Sequence, residues 1–203
     1  MKIPLFMKSI LLLSTLLCLT VISTAQPRNL LQNPKADNGI NHWKATGDAV
    51  TERTLNKGWH FKVRNNGFLR QDIALPANAE GQYVLLIGFV ASERINEDGA
   101  ITGLPYLYGY LMDSITPNGK ILSYLQGQNL RCETRKANAW ETVWGIFPVV
   151  EGATVIRFFL NQAEKQGVPQ NGSAARFDDL GIYLFKTEKA ATDFVRLYKA
   201  QER

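Results

Sequence analysis

The chain has 203 residues, a net charge of +5 at pH 7 and a hydrophobic content of 45%. This length allows one domain with a substantial core and is too short for two comfortable ones. The basic residues are spread out, with no cluster longer than Arg135-Lys136, which argues against a nucleic-acid-binding protein.

The first 25 residues have the order of a secretory signal peptide. Lys2 and Lys8 precede an apolar run over residues 10–22, and the small residues Ser23 and Ala25 lie three and one positions before a cleavage site. An uncleaved anchor is the alternative, but Ser and Thr residues dilute the apolar run. We therefore expect residues 1–25 to be removed, giving a secreted or periplasmic product without a membrane span.

Cleavage would change the charge and the cysteine count. The loss of Lys2 and Lys8 lowers the net charge from +5 to +3, and Cys18 leaves with the signal peptide. Cys132 would then be the one cysteine left, so no intrachain disulfide could form. We expect Cys132 to be a small buried residue rather than a nucleophile.

A two-residue period dominates the chain from residue 26 to residue 186. The β-rich runs cover residues 68–75, 83–91, 106–112, 121–125, 141–149, 155–160 and 176–185. Turn-forming Gly, Pro, Asn and Asp residues separate them, which predicts an all-β domain, an antiparallel sandwich or jelly roll, over residues 26–186.

The tail, residues 187–203, has a helical period instead. This period places Phe194, Leu197 and Tyr198 on one side and predicts a helix over residues 187–200. We expect this helix to pack on the sandwich or to dock on a partner protein.

The last predicted strand begins with two acidic residues, Asp178 and Asp179. Strict alternation would place Asp179 on one face with Phe177, Gly181, Tyr183 and Phe185, and Asp178 on the other with Leu180, Ile182 and Leu184. The acidic pair has two interpretations. The carboxylates are solvated at the start of a strand, or Asp178 joins an acidic residue of the N-terminal loop in a Ca²⁺ site.

Several segments match a known family in their order. The chain opens with Asn29-Leu-Leu-Gln-Asn33, then Asp37, Gly39 and Trp43. Later segments are Leu69-Arg-Gln-Asp-Ile73, Gly81-Gln-Tyr83, Trp140-Glu-Thr-Val-Trp144 and Phe177-Asp-Asp-Leu180. Together they resemble carbohydrate-binding modules of the family 4, 9 and 22 type, which implies a galactose-binding-like jelly roll. F-box-associated domains share the fold more distantly, but the signal peptide argues against their cytosolic role.

The resemblance also implies a structural calcium ion. In that family an acidic residue of the opening loop and the closing Asp help to bind it, and these positions correspond to Asp37 and Asp178. The chain departs from the pattern by having Lys35-Ala36-Asp37 where an aromatic residue followed by glutamate is usual. Asn33 and Asp179 are the nearest additional oxygen donors.

Aromatic residues are the candidates for ligand contact. Tyr106, Tyr108 and Tyr110 alternate with smaller residues and so share one sheet face, where sugar rings could stack. The competing interpretation is that a half-buried sheet uses tyrosine for its β-propensity. Tyr124 and Trp59 are further candidate contacts. Candidate polar partners at the rim are Arg94, Asn96, Gln126 and Gln128.

No catalytic constellation is evident in the sequence. The histidines, His42 and His60, have no metal-ligand or triad spacing, and the acidic residues near position 97 lie in a polar loop. We expect a secreted, non-catalytic module that binds poly- or oligosaccharide. The alternative is a secreted structural or protein-interaction domain of the same fold. The two differ in whether the tyrosine face is exposed or covered by the C-terminal helix.

Overall fold

A computed structural model describes residues 27–55, 58–93, 104–132, 136–163 and 174–201. The predicted signal peptide, and Arg94 and Asn96, lie outside these ranges. Within them the chain forms β-strands, a short 3-10 helix (Gln128–Leu130) and one C-terminal α-helix, so the predicted fold class is confirmed. No helix in the described ranges has the length and apolar character needed to cross a membrane.

The elements follow one another in a simple order. The strands are β1 (Lys44–Thr54), β2 (Gly58–Ala74), β3 (Tyr83–Ser92), β4 (Leu104–Met112), β5 (Ile121–Leu125), β6 (Glu141–Pro148), β7 (Val155–Ala163) and β8 (Ala175–Phe185), and the helix is α1 (Glu188–Gln201). The predicted strands are all present. The prediction missed β1, because this strand is exposed along most of its length and lacks a clear apolar alternation.

All pairings are antiparallel, in the order β5-β4-β7-β2-β8-β3-β6, with β1 beside β2. The long strand β2 serves two sheets, since Phe61–Val63 pair with β8 whereas Phe68–Ala74 pair with β7. The second half of β2 with β7, β4 and β5 is termed the front sheet. The first half of β2 with β8, β3 and β6 is termed the back sheet.

The core lies between the two sheets. Phe61 and Phe177 from the back sheet and Phe158 from the front sheet are fully buried there. The indole of Trp43 packs against Phe61 and Phe158, with ring centroids 5.1 and 6.1 Å away. Burying each such side chain stabilises the fold by roughly 1.5–3 kcal/mol. Cys132 is also buried, as predicted.

The opening segment runs beside β8 and closes the module. Asn29 donates its side-chain amide to the Leu180 carbonyl (2.9 Å) and accepts the Ile182 N–H on Oδ1 (3.1 Å). The Leu30 N–H donates to the Ile182 carbonyl at 2.8 Å, and the Leu180 N–H donates to the Pro34 carbonyl at 3.1 Å. The two ends of the module are therefore joined directly.

A β-bulge in β8 overturns the predicted alternation of its side chains. Ile87 pairs with Gly181 and Phe89 with Asp178, so two residues of β8 oppose one of β3, and Asp179 has a φ of 44°. The extra residue reverses the faces. Phe177 therefore lies in the core together with Leu180 and Ile182, and not on the face of Tyr183 as strict alternation predicted.

Helix α1 packs on the outer face of the back sheet. The Thr187 hydroxyl accepts the Ala190 N–H at 3.2 Å and caps the helix. Phe194, Val195 and Tyr198 contact this sheet, with Phe194 4.8 Å from the Tyr183 ring centroid. Leu197, predicted on the packed side, is 65% exposed, whereas Val195, two residues earlier, is buried.

Candidate functional site

The three tyrosines of β4 face outward from the front sheet. Along this strand Leu107, Gly109 and Leu111 are buried, whereas Tyr106, Tyr108 and Tyr110 are half-buried. Helix α1 contacts β3, β6 and β8 and so lies on the opposite sheet. The helix therefore does not cover the tyrosines.

Cross-strand pairing surrounds the tyrosines with further side chains. On β7, Asn161 lies opposite Tyr106, Phe159 opposite Tyr108 and Arg157 opposite Tyr110. Across β7, β2 adds Phe68, Arg70 and Asp72 in the same three rows, and β5 adds Tyr124 opposite Tyr110. The term aromatic face is used below for Tyr106, Tyr108, Tyr110, Tyr124, Phe159 and Phe68.

The rings of the aromatic face pack closely on one another. Tyr108 is nearly parallel to Phe159 (2°, centroids 4.6 Å apart) and to Tyr106 (19°, 5.3 Å). Tyr110 and Tyr124 stand perpendicular at 5.3 Å. Neighbours thus cover part of the Tyr108 ring, while Tyr124 is 57% exposed. Tyr124 therefore presents the freest ring surface, and Tyr108 supports the cluster.

The phenol hydroxyls add hydrogen-bonding groups to this surface. Burial, with the neighbouring Tyr110, raises the pKa of Tyr108 to about 12, against a smaller opposing effect of its hydrogen bond to Asn161. Burial likewise raises the pKa of Tyr110. Both hydroxyls are therefore neutral at physiological pH, and each can donate and accept a hydrogen bond.

A charged group lies next to the aromatic face on β2 and β7. The Asp72 side chain is 5% exposed and accepts two hydrogen bonds from Arg157, at 2.7 Å from Nε and 3.5 Å from Nη2. Lys44 and Arg70 approach Asp72 Oδ2 at 3.6 and 3.7 Å. At the other edge, the Arg131 guanidinium lies 4.7 Å from the Tyr106 ring centroid.

The sequence analysis did not identify several of these residues. Arg157, Phe159 and Asn161 alternate along β7 with buried Phe158 and Leu160, and this pattern was a usable signal for an outward face. Their proximity to the tyrosines depends on which strands are neighbours. The strand order cannot be read from one sequence, so the composition of the face could not be derived.

Other candidate contacts lie elsewhere. Trp59, 43% exposed, is at the far end of β2 in the half that pairs with β8, so it does not join the aromatic face. Gln126 and Gln128 line a groove of about 480 Å³ together with Trp144 and Glu188 of α1. The tyrosines of the aromatic face do not line this groove.

The predicted calcium ligands lie near each other at the bulge. Burial raises the pKa of Asp178 to about 6, and the charges of Asp179 and Asp37 add to this effect. Asp178 Oδ1 accepts the Asp179 N–H at 2.8 Å. Asp179 itself contacts Lys35 Nζ (3.2 Å) and accepts the Tyr198 hydroxyl (2.8 Å).

The donor set at this place suits a hard cation in part. Asn33, predicted as an additional donor, uses its amide to hold the loop, donating to the Gly39 carbonyl at 2.8 Å and accepting the Asn38 N–H at 3.2 Å. Across the described residues no group of three or more His, Cys, Asp or Glu side chains is arranged to hold a metal ion. Calcium takes six to eight oxygen ligands, so water and backbone carbonyls would have to complete its coordination.

A second charged network lies on the back sheet. Lys62 is buried and contacts Glu52 and Glu93, each at 3.0 Å. Arg176 contacts the same two carboxylates at 3.2 and 2.9 Å. Burial lowers the pKa of His60, whose Nε2 lies 3.3 Å from Glu52 Oε2. The paired charges account for the burial of Lys62.

No protein-family model matches this chain, and no curated protein sequence matches it. Solved structures do share its fold. The enzymatically active domain of tailspike protein 4 from bacteriophage CBA120 has a TM-score of 0.54 and 14% identity, covering 77% of this chain and 21% of that chain.

Two structures of CBM22 modules are also similar. The tandem CBM22 pair of Paenibacillus barcinonensis has a TM-score of 0.51 and 16% identity, covering 79% of this chain and 47% of that chain. Its single xylan-binding CBM22-2 domain has a TM-score of 0.49 and 15% identity, covering 75% and 98%. The chain thus spans about a fifth of the tailspike protein and about half of the tandem pair. At these identities the predicted resemblance is confirmed for the fold.

Proposed function

We propose that this chain is a secreted, non-catalytic module that binds a poly- or oligosaccharide on the aromatic face. The observation that carries the proposal is the outward-facing cluster around Tyr108, which helix α1 leaves uncovered. An exposed group of rings with polar tips suits the apolar faces and hydroxyls of sugars. The shared fold with the tandem CBM22 pair supports this proposal as an analogy.

The row of aromatic residues across β5, β4 and β7 favours a chain-like ligand. Sugar units would lie along the row formed by Tyr110 and Tyr124, with the exposed Tyr124 ring stacking on one unit. The hydroxyls of Tyr108 and Tyr110 and the amide of Asn161 would orient neighbouring units by hydrogen bonds.

The charges of the face favour binding over hydrolysis. Glycoside hydrolysis ordinarily needs two carboxyl groups across the scissile bond. The described outward-facing residues of β4, β7 and the second half of β2 include one carboxylate, Asp72, and Arg157 holds both of its oxygens. The similar tailspike domain is an enzyme, so activity belongs among the outcomes to be measured.

A structural Ca²⁺ ion bound through Asp37 and Asp178 is part of the proposal. The support is the half-buried Asp178 carboxyl, whose charge is disfavoured by burial and by two neighbouring carboxylates. A divalent cation would stabilise that charge. The role would be to hold the opening loop against β8.

A glycan array with the mature protein tests the proposal, followed by affinity measurements on the best ligand. We expect Tyr124→Ala to lose most of the affinity and Trp59→Ala to keep it, since Trp59 is an exposed aromatic residue away from the face. Reducing-end release during incubation would show catalysis. If no glycan binds at millimolar concentration, the interaction-domain alternative replaces this function.

A further inference from the structure

The aromatic face is flanked by cationic side chains on both sides. Arg131 lies at the β4 edge, while Lys44, Arg70 and Arg157 lie towards β1 and β2. Asp72 is the one carboxylate on the described outward faces of β4, β7 and the second half of β2. The surroundings of the face are therefore strongly positive.

Asp72 cannot satisfy all the cations beside it. Arg157 Nε donates to Asp72 Oδ1 at 2.7 Å, and Arg157 Nη2 lies 3.5 Å from Oδ2. Lys44 and Arg70 are 3.6 and 3.7 Å away, which is beyond ordinary hydrogen-bond length. The Lys44 side chain is 69% exposed and the Arg70 side chain is 28% exposed. The Lys44 ammonium and the terminal nitrogens of Arg70 thus have donors that can reach another anion.

Arg131 is placed to contact a ligand at the opposite edge. Its guanidinium carbon lies over the Tyr106 ring, 4.7 Å from the centroid, and the residue is exposed. A guanidinium held by cation–π attraction to a ring keeps the N–H donors that do not point at the ring available. Those donors match the spacing of two oxygens on a carboxylate or a sulfate group.

We propose that the aromatic face selects acidic glycans, in which oxyanions on the sugar rings contact Arg131 on one side and Arg70 with Lys44 on the other. This inference rests on the proposed carbohydrate binding and specifies its ligand class. Uronic acids and sulfate esters supply the same oxyanion chemistry. The rings of the face would recognise the sugar, and the cations would recognise its charge.

The test compares charged glycans with uncharged forms of the same backbone. The full mature protein is titrated calorimetrically with polygalacturonate and with its fully methyl-esterified form, and with a sulfated galactan and its desulfated form. We expect the uncharged form of the preferred pair to bind at least tenfold more weakly, the size of one lost charge-assisted hydrogen bond. The better pair identifies the oxyanion.

Variants separate specific recognition from general attraction to a basic protein. Arg131→Met should weaken binding of the acidic form about tenfold, as for one charge-assisted hydrogen bond. It should leave the neutral form unchanged, and Arg131→Lys should restore part of the loss. Arg196→Met removes the same charge from α1 on the back sheet and should have no effect.

Equal binding of charged and neutral forms would overturn this inference and leave the proposed function standing. An equal loss in Arg131→Met and Arg196→Met would also overturn it, since it would show attraction to the overall charge. If neither form of either pair binds to the parent protein, and the array is negative, carbohydrate binding itself fails.

Discussion

The tyrosines of the aromatic face differ in burial and in the rings that they contact. Tyr108 packs between neighbours on β4 and β7 and is half-buried, whereas Tyr124 is largely exposed and meets Tyr110 edge-on. The sequence analysis placed Tyr106, Tyr108 and Tyr110 on one face correctly, because alternation holds along β4. It could not show which ring supports the others, since that depends on Phe159 of a strand distant in sequence.

This difference predicts two kinds of variant. Tyr124→Ala should lose glycan affinity while the free energy of unfolding changes by less than about 0.5 kcal/mol, as for surface substitutions generally. Tyr108→Ala should cost roughly 2 kcal/mol, below the range of about 3–5 kcal/mol for fully buried aromatic residues. Urea denaturation and calorimetric titration of both variants provide the measurement. A Tyr108→Ala protein as stable as the parent would contradict the supporting role.

The raised pKa of the Asp178 carboxyl gives a second prediction for a single residue. Its folded pKa of about 6 is above its ordinary value, mainly because of burial. Its contribution to stability is therefore fully present below about pH 4 and is lost as pH rises through about 6. At pH 7.5 with chelator, Asp178→Asn should melt at a higher temperature than the parent.

Calcium should change that comparison. If the ion binds through Asp37 and Asp178, calcium raises the melting temperature of the parent and has little effect on Asp178→Asn, because a ligand that binds the native state stabilises it. Asp193→Asn on α1 is a suitable control, since it removes a carboxylate elsewhere. A parent that melts identically with calcium and with chelator would leave Asp178 as an uncompensated carboxyl.

Among the elements, β8 shows how one extra residue changes the faces on which the side chains of a strand lie. The bulge at Asp179 carries Phe177 and Leu180 to the same side, which no alternation pattern expresses. Gly88 lies opposite the bulge. A Cβ atom at this position would be 2.8 Å from Leu180 Cδ2 and 2.9 Å from Leu107 Cδ1. The partner strand thus makes room for the extra residue by lacking a side chain.

Gly88→Ala is therefore predicted to be destabilising. The added methyl group must displace two leucine ends in a packed core, and overpacking of this kind costs about 1–3 kcal/mol. Gly81→Ala, in open space but with a φ of 74°, provides a control for backbone strain alone. Chemical denaturation measures both, and an unchanged midpoint for Gly88→Ala would show that the leucines relax freely.

The charged network between β1, β2 and β8 predicts a pH effect. His60 has a lowered pKa, chiefly because of burial, so it stays neutral in the folded protein when the unfolded chain takes up a proton. Its contribution to stability is present above about pH 6.5 and is lost as pH falls towards the folded pKa. Relative to the parent, His60→Gln should lose less stability between pH 7 and pH 5. Equal pH profiles would show that His60 does not titrate on unfolding.

For the molecule as a whole, the two sheets have separate tasks. The back sheet packs against α1 through Phe194 and Tyr198, whereas the front sheet presents the aromatic face. Phe194→Ala should therefore lower the melting temperature and leave glycan affinity unchanged, because the helix and the face lie on opposite sheets. Differential scanning calorimetry with binding titrations tests this separation. A loss of affinity in a folded Phe194→Ala protein would show coupling between the sheets.

The sandwich class could be predicted because short alternating strands and turn residues report local structure directly. The packing site of the helix could not be predicted. Thr187 and the residues after it indicate a helix, but they do not indicate the sheet on which it packs. The positive surroundings of the face also depend on topology. Lys44, Arg70, Arg157 and Arg131 belong to four separate segments that the strand order brings to one surface.

The two-sheet strand β2 has a consequence for the order of folding. Phe61 pairs with Phe177, and Leu69 pairs with Leu160. Both halves of this early strand therefore pair with segments near the end of the domain. Closing such long loops costs entropy before any pairing is gained, and folding dominated by distant contacts takes milliseconds to seconds. Of the three strands that pair with β2, only β1 is next to it in sequence. The hairpin of β1 and β2 is therefore the one part of this strand's pairing that needs no segment distant in sequence.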